Sequence, residues 1–166
     1  MATRQLTAAS KTPTKAPARA PTQVPSQAKP ILDNSPMKNL LPKATWDLIQ
    51  RQPDVLFVDV RMEIESLYVG RPPGVHIIAW YEYPDLTPHA PEFVRQVERE
   101  AGAKDRAVIL ICRSGKRTVD AGLALEAAGF TNVVNVVHGF EGDLDDTFHR
   151  STVNGWRFDG LPWEQM

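Results

Sequence analysis

The chain has 166 residues, of which 42% are hydrophobic, 23% are charged and one is a cysteine. This size and apolar content suit one folded domain with additional segments. The formal net charge of −1 argues against nucleic-acid binding, and no apolar run is long enough for a membrane span or the core of a secretory signal. A single cysteine excludes an internal disulfide.

Residues 1–36 differ in composition from the rest of the chain. They contain six prolines, no aromatic residue, and five Lys or Arg against one acid, which leaves the remaining chain acidic. Such a segment cannot bury enough apolar surface to offset its ordering entropy, so we predict a disordered basic tail. Its acid-poor composition also leaves open an organellar transit peptide.

Residues 37–166 form the predicted folded domain, in which helical and extended patterns alternate. The strands at 55–60 and 107–111 are continuous apolar runs, typical of strands buried on both faces of a parallel sheet. The alternation predicts an α/β fold with right-handed crossovers and helices on both faces. Further strands are predicted at 75–79 and 133–137, and helices at 43–52, 62–69, 88–101 and 116–128.

Apolar spacing also predicts which helix faces pack inward. Trp80 and Tyr81 follow the predicted strand at 75–79 and are interpreted either as core residues or as substrate or partner contacts. Trp156 and Trp163 are predicted to pack over the domain. In the third helix Phe93, Val97 and Ala101 are predicted to face inward. Apolar residues share one face of the second helix (Ile64, Leu67 and Tyr68) and one stripe of the fourth (Val119, Leu123 and Ala127, with Leu125 near its edge).

Cys112 is the first residue after the apolar strand 107–111 and opens a short cationic turn that leads into a helix. Parallel sheets bind ligands at this end of their strands. Backbone N–H groups of the turn and the positive helix N-terminus favour an anion there. Arg113, Lys116 and Arg117 add full charges. Together these groups predict a nucleophilic thiolate at the mouth of the sheet.

The small residues of the turn have roles of their own. Gly115 allows a tight turn, and Ser114 and Thr118 can donate hydroxyl hydrogens to the sulfur or to a bound anion. We therefore predict Cys112 as the catalytic residue. The predicted substrate-binding residues are Arg113, Ser114, Gly115, Lys116, Arg117 and Thr118.

Two charged residues close the strand at 55–60. We predict that Asp59 and Arg61 are structural neighbours of the site, as a buried carboxylate and its ion-pair partner, because a carboxylate beside the cysteine would oppose thiolate formation. A second acidic group, at 141–146, lacks the spacing of a calcium loop and is predicted to be solvated. We predict no metal site and no cofactor.

The segment Cys112-Arg-Ser-Gly-Lys-Arg117-Thr resembles the active-site loop of rhodanese-type sulfurtransferases, in which four residues separate a cysteine from a basic residue that is followed by Thr. Asp59-Val60-Arg61, the PGVHI segment at 73–77 and Gly139-Phe140 resemble other marks of that family. The resemblance spans 37–166. It implies a rhodanese-like sheet of about five strands with the Cys112 loop at its centre.

The resemblance also implies a function. Sulfane sulfur would move from an anionic donor such as thiosulfate to a thiol or cyanide through a persulfide on Cys112, with Arg113, Lys116 and Arg117 holding the donor. Because the chain has no second cysteine, the sulfur must leave to an outside acceptor, which includes an acceptor protein. A free reactive thiol and no secretory signal predict a reducing cytoplasm.

Two other functions remain open. The chain is alternatively a persulfide carrier or protein-interaction module with little turnover of small donors. A cysteine phosphatase or arsenate reductase is less favoured, because those families typically place five residues between Cys and Arg, where this chain has four.

Overall fold

The computed structural model describes residues 37–165. The disordered tail predicted for residues 1–36 lies outside this range and stays a prediction. Within the described range, no helix combines the length and the apolar character that crossing a membrane requires.

Five parallel strands form one sheet in the order β1-β5-β4-β2-β3, so β4 lies at its centre. This confirms the predicted α/β fold. The strands are β1 (Lys38–Leu40), β2 (Leu56–Asp59), β3 (His76–Ile77), β4 (Val108–Ile111) and β5 (Val133–Val136), and the helices are α1 (Pro42–Arg51), α2 (Glu63–Val69), α3 (Ala90–Ala101) and α4 (Arg117–Ala127).

The first strand was not predicted from the sequence. Its three residues, KNL, contain no apolar run, and its side chains are mostly exposed. It forms through backbone pairing at the edge of the sheet, where Lys38 lies opposite Val134 of β5. Backbone pairing needs no particular side chain, so the sequence carries little signal for such a strand.

The two faces of the sheet are covered by different helices. Val108, Leu110 and Cys112 belong to the core that also contains residues of α3 and α4, whereas Ile109 and Ile111 face the core that contains Trp156 and residues of α1. This alternation follows from the two-residue period of a strand. Helices therefore cover both faces, as predicted, and the Cys112 side chain lies on the α3/α4 side.

The predicted inward face of α3, formed by Phe93, Val97 and Ala101, is confirmed, but the apolar face of α2 does not pack into the core. Ile64, Leu67 and Tyr68 are 54%, 37% and 70% exposed, and the buried residue of this helix is Ser66. The Ser66 hydroxyl donates to Asp59 Oδ2 at 2.9 Å. A buried polar group requires a hydrogen-bond partner, and this requirement, rather than apolar spacing, sets the rotation of the helix.

The apolar stripe of α4 packs inward only in part, because Val119 contacts the core and Leu125 is buried, whereas Ala127 is exposed. Leu123 is 45% exposed, and the helix approaches the sheet through small side chains. A Cβ on Gly122 would lie 2.3 Å from Met37 Sδ, so a larger residue here would require the Met37 side chain to move. The residues of α4 that are buried are Thr118, Ala121, Gly122 and Leu125.

Aromatic packing matches the sequence analysis in part. Trp80 is buried and packs edge-on against Phe93, with ring centroids 5.2 Å apart, which settles its role as a core residue. Trp156 is fully buried and contacts Trp46, as predicted. Trp163 is 41% exposed and lies beneath the Arg157 guanidinium, so it covers the domain only partly.

Candidate active site

The Cys112 loop joins the central strand β4 to the first turn of α4. Cys112 Sγ accepts a hydrogen bond from the Gly115 N–H, with 3.1 Å between nitrogen and sulfur. Thr118 Oγ1 lies 3.8 Å from the same sulfur. The loop thus curls around the sulfur and brings a backbone donor, a hydroxyl and a helix N-terminus to it, an arrangement that stabilises negative charge.

The sulfur is less accessible than a thiolate at the mouth of the sheet would be. Cys112 is 1% exposed, whereas Ser114 and Gly115 of the same loop are half-buried and Arg113 and Lys116 are exposed. A molecule that reacts with Cys112 must therefore approach a residue that its surroundings largely enclose.

The turn at 138–142, directly after β5, holds the Cys112 loop by its backbone. The Phe140 N–H donates to the Cys112 carbonyl at 2.7 Å, and the N–H groups of Glu141 and Gly142 donate to the Arg113 carbonyl at 2.9 and 3.2 Å. In a trans peptide the C=O and the following N–H point in opposite directions. These contacts therefore turn the next two N–H groups of the loop away from the turn.

Close approach of the two backbones requires glycine. Gly139 has φ +61°, and a Cβ on it would lie 2.3 Å from the Cys112 carbonyl oxygen and 2.8 Å from the Ser114 nitrogen. Gly115 has φ +83°, and its Cβ would lie 3.0 Å from the His138 nitrogen. In the sequence, Gly139 stood out only as part of the family resemblance. Its contact with a loop some 25 residues earlier leaves no local sequence pattern that would predict it.

Arg117 has its guanidinium in an ion pair, and it also interacts electrostatically with Cys112. Its two terminal nitrogens bind the two Glu65 oxygens at 2.6 and 2.7 Å, and the guanidinium lies 5.3 Å from the centre of the Tyr81 ring. Sequence analysis missed Glu65, which belongs to another helix 52 residues earlier. Its only sequence signal is an acid in the first turn of α2.

Glu65 and Arg117 shift each other's pKa values in opposite directions. Burial raises the pKa of Glu65, but the hydrogen bond and charge of Arg117 outweigh it, so the pKa falls below 4.5. Burial lowers the pKa of Arg117, but the Glu65 carboxylate outweighs it and the pKa rises. Both groups are therefore charged at neutral pH, and the pair ties the first turn of α4 to α2.

The two other predicted cations are free. Within residues 37–165, neither Arg113 nor Lys116 has a side-chain hydrogen bond or an ion pair, and both are exposed. Their charges therefore remain available to a bound anion, although solvent screens them.

Asp59 and Arg61 form a fully buried ion pair beneath the site. Arg61 Nη2 donates to Asp59 Oδ2 at 2.6 Å and to the Gly70 carbonyl at 2.8 Å, and the guanidinium lies 4.5 Å from the centre of the Phe140 ring. Phe140 belongs to the core on the opposite face from Cys112. The pair thus supports the turn that holds the Cys112 loop.

The acidic group at 141–146 is part of a hydrogen-bonded loop. Asp145 accepts hydrogen bonds from the N–H groups of His149 and Thr147 and from the hydroxyls of Thr147 and Thr152. These bonds, first that from His149, lower the pKa of Asp145 well below its ordinary value. Within residues 37–165, no group of three or more His, Cys, Asp or Glu residues is placed to hold a metal ion.

The comparison with protein families is decisive. A model of the rhodanese-like domain matches residues 41–145. The chain belongs to the rhodanese-like family. An uncharacterized protein from Rickettsia conorii is 27% identical over 134 residues, which cover 77% of this chain and 98% of that protein.

Solved structures share the rhodanese-like fold. The crystal structure of Rv0390 from M. tuberculosis has a TM-score of 0.68 at 34% identity and covers 78% of this chain and 98% of that one. The solution structure of a polysulfide-sulfur transferase homodimer from Wolinella succinogenes has a TM-score of 0.53 at 21% identity and covers 79% of this chain and 80% of that one. The crystal structure of a thiosulfate sulfurtransferase from Pseudomonas aeruginosa has a TM-score of 0.55 at 20% identity and covers 78% of this chain and 20% of that one.

Replacement of Gly139 tests the backbone contact. Gly139→Ala should lower the free energy of unfolding by about 2–4 kcal/mol, from the left-handed backbone and from the clash with the Cys112 carbonyl. Gly102→Ala is the matched control, because Gly102 has φ +73° with nothing within 4 Å of its Cβ position. Urea denaturation measures both, and hydrogen exchange of residues 113–117 should accelerate only in Gly139→Ala. If Gly139→Ala and Gly102→Ala lowered the free energy of unfolding equally, the proposed backbone contact would be contradicted.

The Glu65–Arg117 pair predicts a pH dependence of stability. Because folding lowers the pKa of Glu65, its ionised form stabilises the fold above the ordinary pKa of 4.5, and this contribution is lost as the pH falls through the lower folded-state pKa. Glu65→Gln should therefore cost about 1–3 kcal/mol at pH 7 and progressively less below pH 4. Glu164→Gln, which removes an exposed carboxylate, is the control. A cost for Glu65→Gln that does not change with pH would exclude this role.

Proposed function

We propose that the protein is a sulfurtransferase that carries sulfane sulfur as a persulfide on Cys112. The observation that carries this proposal is the Cys112 sulfur itself, which accepts the Gly115 N–H at 3.1 Å at the end of the central strand and the start of α4. Membership of the rhodanese-like family supports it. So does the fold shared with proteins described as polysulfide-sulfur and thiosulfate sulfur transferases.

The proposed reaction has two displacement steps. The Cys112 thiolate attacks the outer sulfur of thiosulfate, the S–S bond of the donor breaks, and sulfite leaves with the bonding electron pair. The new persulfide carries the negative charge on its outer sulfur, where loop N–H groups stabilise it. Cyanide or an acceptor thiolate then attacks that sulfur and regenerates the Cys112 thiolate. Neither step needs an added oxidant or reductant.

The cations have unequal roles in this proposal. Arg113 and Lys116 are exposed beside the loop and bind the anionic end of the donor. Arg117 has both terminal nitrogens bound to Glu65, so it contributes its charge and fixes the start of α4 rather than gripping the donor. Ser114 and Thr118 supply hydroxyl donors, and Asp59 and Arg61 remain structural.

Burial of Cys112 fits a persulfide. Cys112 as a residue is 1% exposed, so in this proposal the enclosed persulfide is protected from bulk solvent, and the donor and the acceptor reach it with a narrow end group. The same feature also suits a carrier that exchanges sulfur with selected proteins, and the two functions share their first step. Steady turnover with cyanide distinguishes an enzyme from such a carrier. We place the reaction in a reducing cytoplasm, because the thiol must stay reduced.

Replacement of the cysteine tests the proposal. Cys112→Ser should abolish formation of thiocyanate from thiosulfate and cyanide, because the hydroxyl forms no persulfide. Thr152→Ser, in the loop organised by Asp145, is a conservative control that should retain activity. Substantial thiocyanate formation by Cys112→Ser would exclude the mechanism, and turnover of an aryl phosphate by the wild type would favour a phosphatase instead.

The free cations predict donor binding. Arg113→Ala and Lys116→Ala should each lower kcat/KM for thiosulfate about 10-fold, mainly through a higher KM, because each removes one charge-assisted contact with the donor. Arg99→Ala removes an equally exposed charge from α3 and should leave kcat/KM within about two-fold. An undiminished kcat/KM in the Arg113→Ala/Lys116→Ala double variant would contradict an anionic donor held at this place.

A further inference from the structure

A groove of about 360 Å³ opens beside the active-site loop, and no step of the proposed sulfur transfer uses it. It lies between the start of α2, the segment after β3 and the first half of α3. Tyr81 contributes half-buried aromatic surface to it, whereas Trp80 and Phe93 also line it but are only 6% and 2% exposed. A concave site with an apolar lining and a few polar groups is the usual form of a binding site.

The polar groups of the groove give it a negative potential. Glu63, Glu82 and Glu92 line it together with His89, whose Nε2 lies 3.2 Å from Asp85 Oδ2, and no lysine or arginine is among its lining residues within the described part of the chain. One carboxylate oxygen of Glu82 accepts a hydrogen bond from the Glu63 N–H at 2.6 Å. Both oxygens of Glu92 accept hydrogen bonds, one from Arg95 and one from Gln96, which also lines the groove. Carboxylates beside aromatic rings favour a cationic ligand.

The groove is connected to the sulfur site through Tyr81. The Tyr81 ring lines the groove and also lies 5.3 Å from the guanidinium carbon of Arg117, whose backbone starts α4 directly after the Cys112 loop. The groove therefore begins about one arginine side chain away from the loop. A peptide carries a thiol and a cation at separate points of one chain, which suits two sites that lie on either side of Arg117.

We infer that this groove binds a lysine or arginine side chain of the sulfur-acceptor protein, located a few residues from its acceptor cysteine. The inference rests on the proposed function for the identity of the partner. It adds a determinant of specificity: the loop admits the thiol, and the groove selects acceptors that carry a neighbouring positive charge.

Matched peptide acceptors test the inference in the full-length protein. The protein is loaded with sulfur from thiosulfate, and transfer to acetyl-Cys-Gly-Gly-Lys-amide or acetyl-Cys-Gly-Gly-Gln-amide is followed by intact mass. At low salt the lysine peptide should react about three-fold faster than the glutamine peptide. This ratio should approach one in the Glu82→Gln/Glu92→Gln double variant, which keeps the hydrogen-bond acceptors, and in high salt.

A matched variant controls for the overall charge. Glu98→Gln/Glu164→Gln removes the same number of negative charges from residues that bind Lys104 and Arg71 and do not line the groove. The lysine-to-glutamine ratio should remain at its wild-type value in this variant. An equal decrease in both double variants would overturn the inference, because long-range attraction would then explain the preference.

Binding without sulfur chemistry separates this inference from the proposed function. Cys112→Ser protein is labelled with ¹⁵N and titrated with acetyl-Ser-Gly-Gly-Lys-amide and its glutamine counterpart. Amide shifts in residues 80–82 and 92–96 should appear with the lysine peptide and disappear in the Glu82→Gln/Glu92→Gln background. If these shifts occur but Cys112 accepts no sulfur, the proposed function fails and the groove stands. No shifts with the lysine peptide, or equal shifts with the glutamine peptide, would overturn the groove as a site for a cationic side chain.

Discussion

The active-site loop depends on a contact between two stretches of backbone. The turn at 138–142 donates three N–H groups to the carbonyls of Cys112 and Arg113, and Gly139 makes the approach possible because any Cβ there would meet the Cys112 carbonyl at 2.3 Å. A loop whose carbonyls are already bound presents its remaining N–H groups without reorganisation. Such preorganised donors are the main means by which proteins stabilise charge that develops during a reaction.

Two ion pairs support this arrangement from different sides. Asp59 and Arg61 are fully buried and pack beneath Phe140, so they hold the turn. Glu65 and Arg117 join α2 to the first turn of α4, so they hold the other end of the loop. Removing one partner from the buried pair would leave an uncompensated charge, which typically costs about 3–5 kcal/mol. These charged residues therefore act on the sulfur through the backbone they position.

Much of the fold could be predicted from the sequence, because buried parallel strands are continuous apolar runs and the strand-turn-helix around Cys112 is local. The faces of α2 and α4 that pack into the core could not be predicted in this way. In α2 a hydrogen bond from Ser66 to Asp59 decides the rotation, and in α4 the close approach of Gly122 to Met37 decides it. Neither contact follows an apolar period. For the same reason Glu65 was missed, and Arg117 was expected at the donor rather than in an ion pair.

The central claim is that this preorganised loop holds a second sulfur atom on Cys112. Intact mass spectrometry of the full-length protein after incubation with thiosulfate and removal of excess donor measures it most directly. The account predicts a mass increase of one sulfur atom that maps to the peptide containing Cys112 and is reversed by cyanide. An unchanged mass, or sulfur bound elsewhere and retained in Cys112→Ser, would contradict the account.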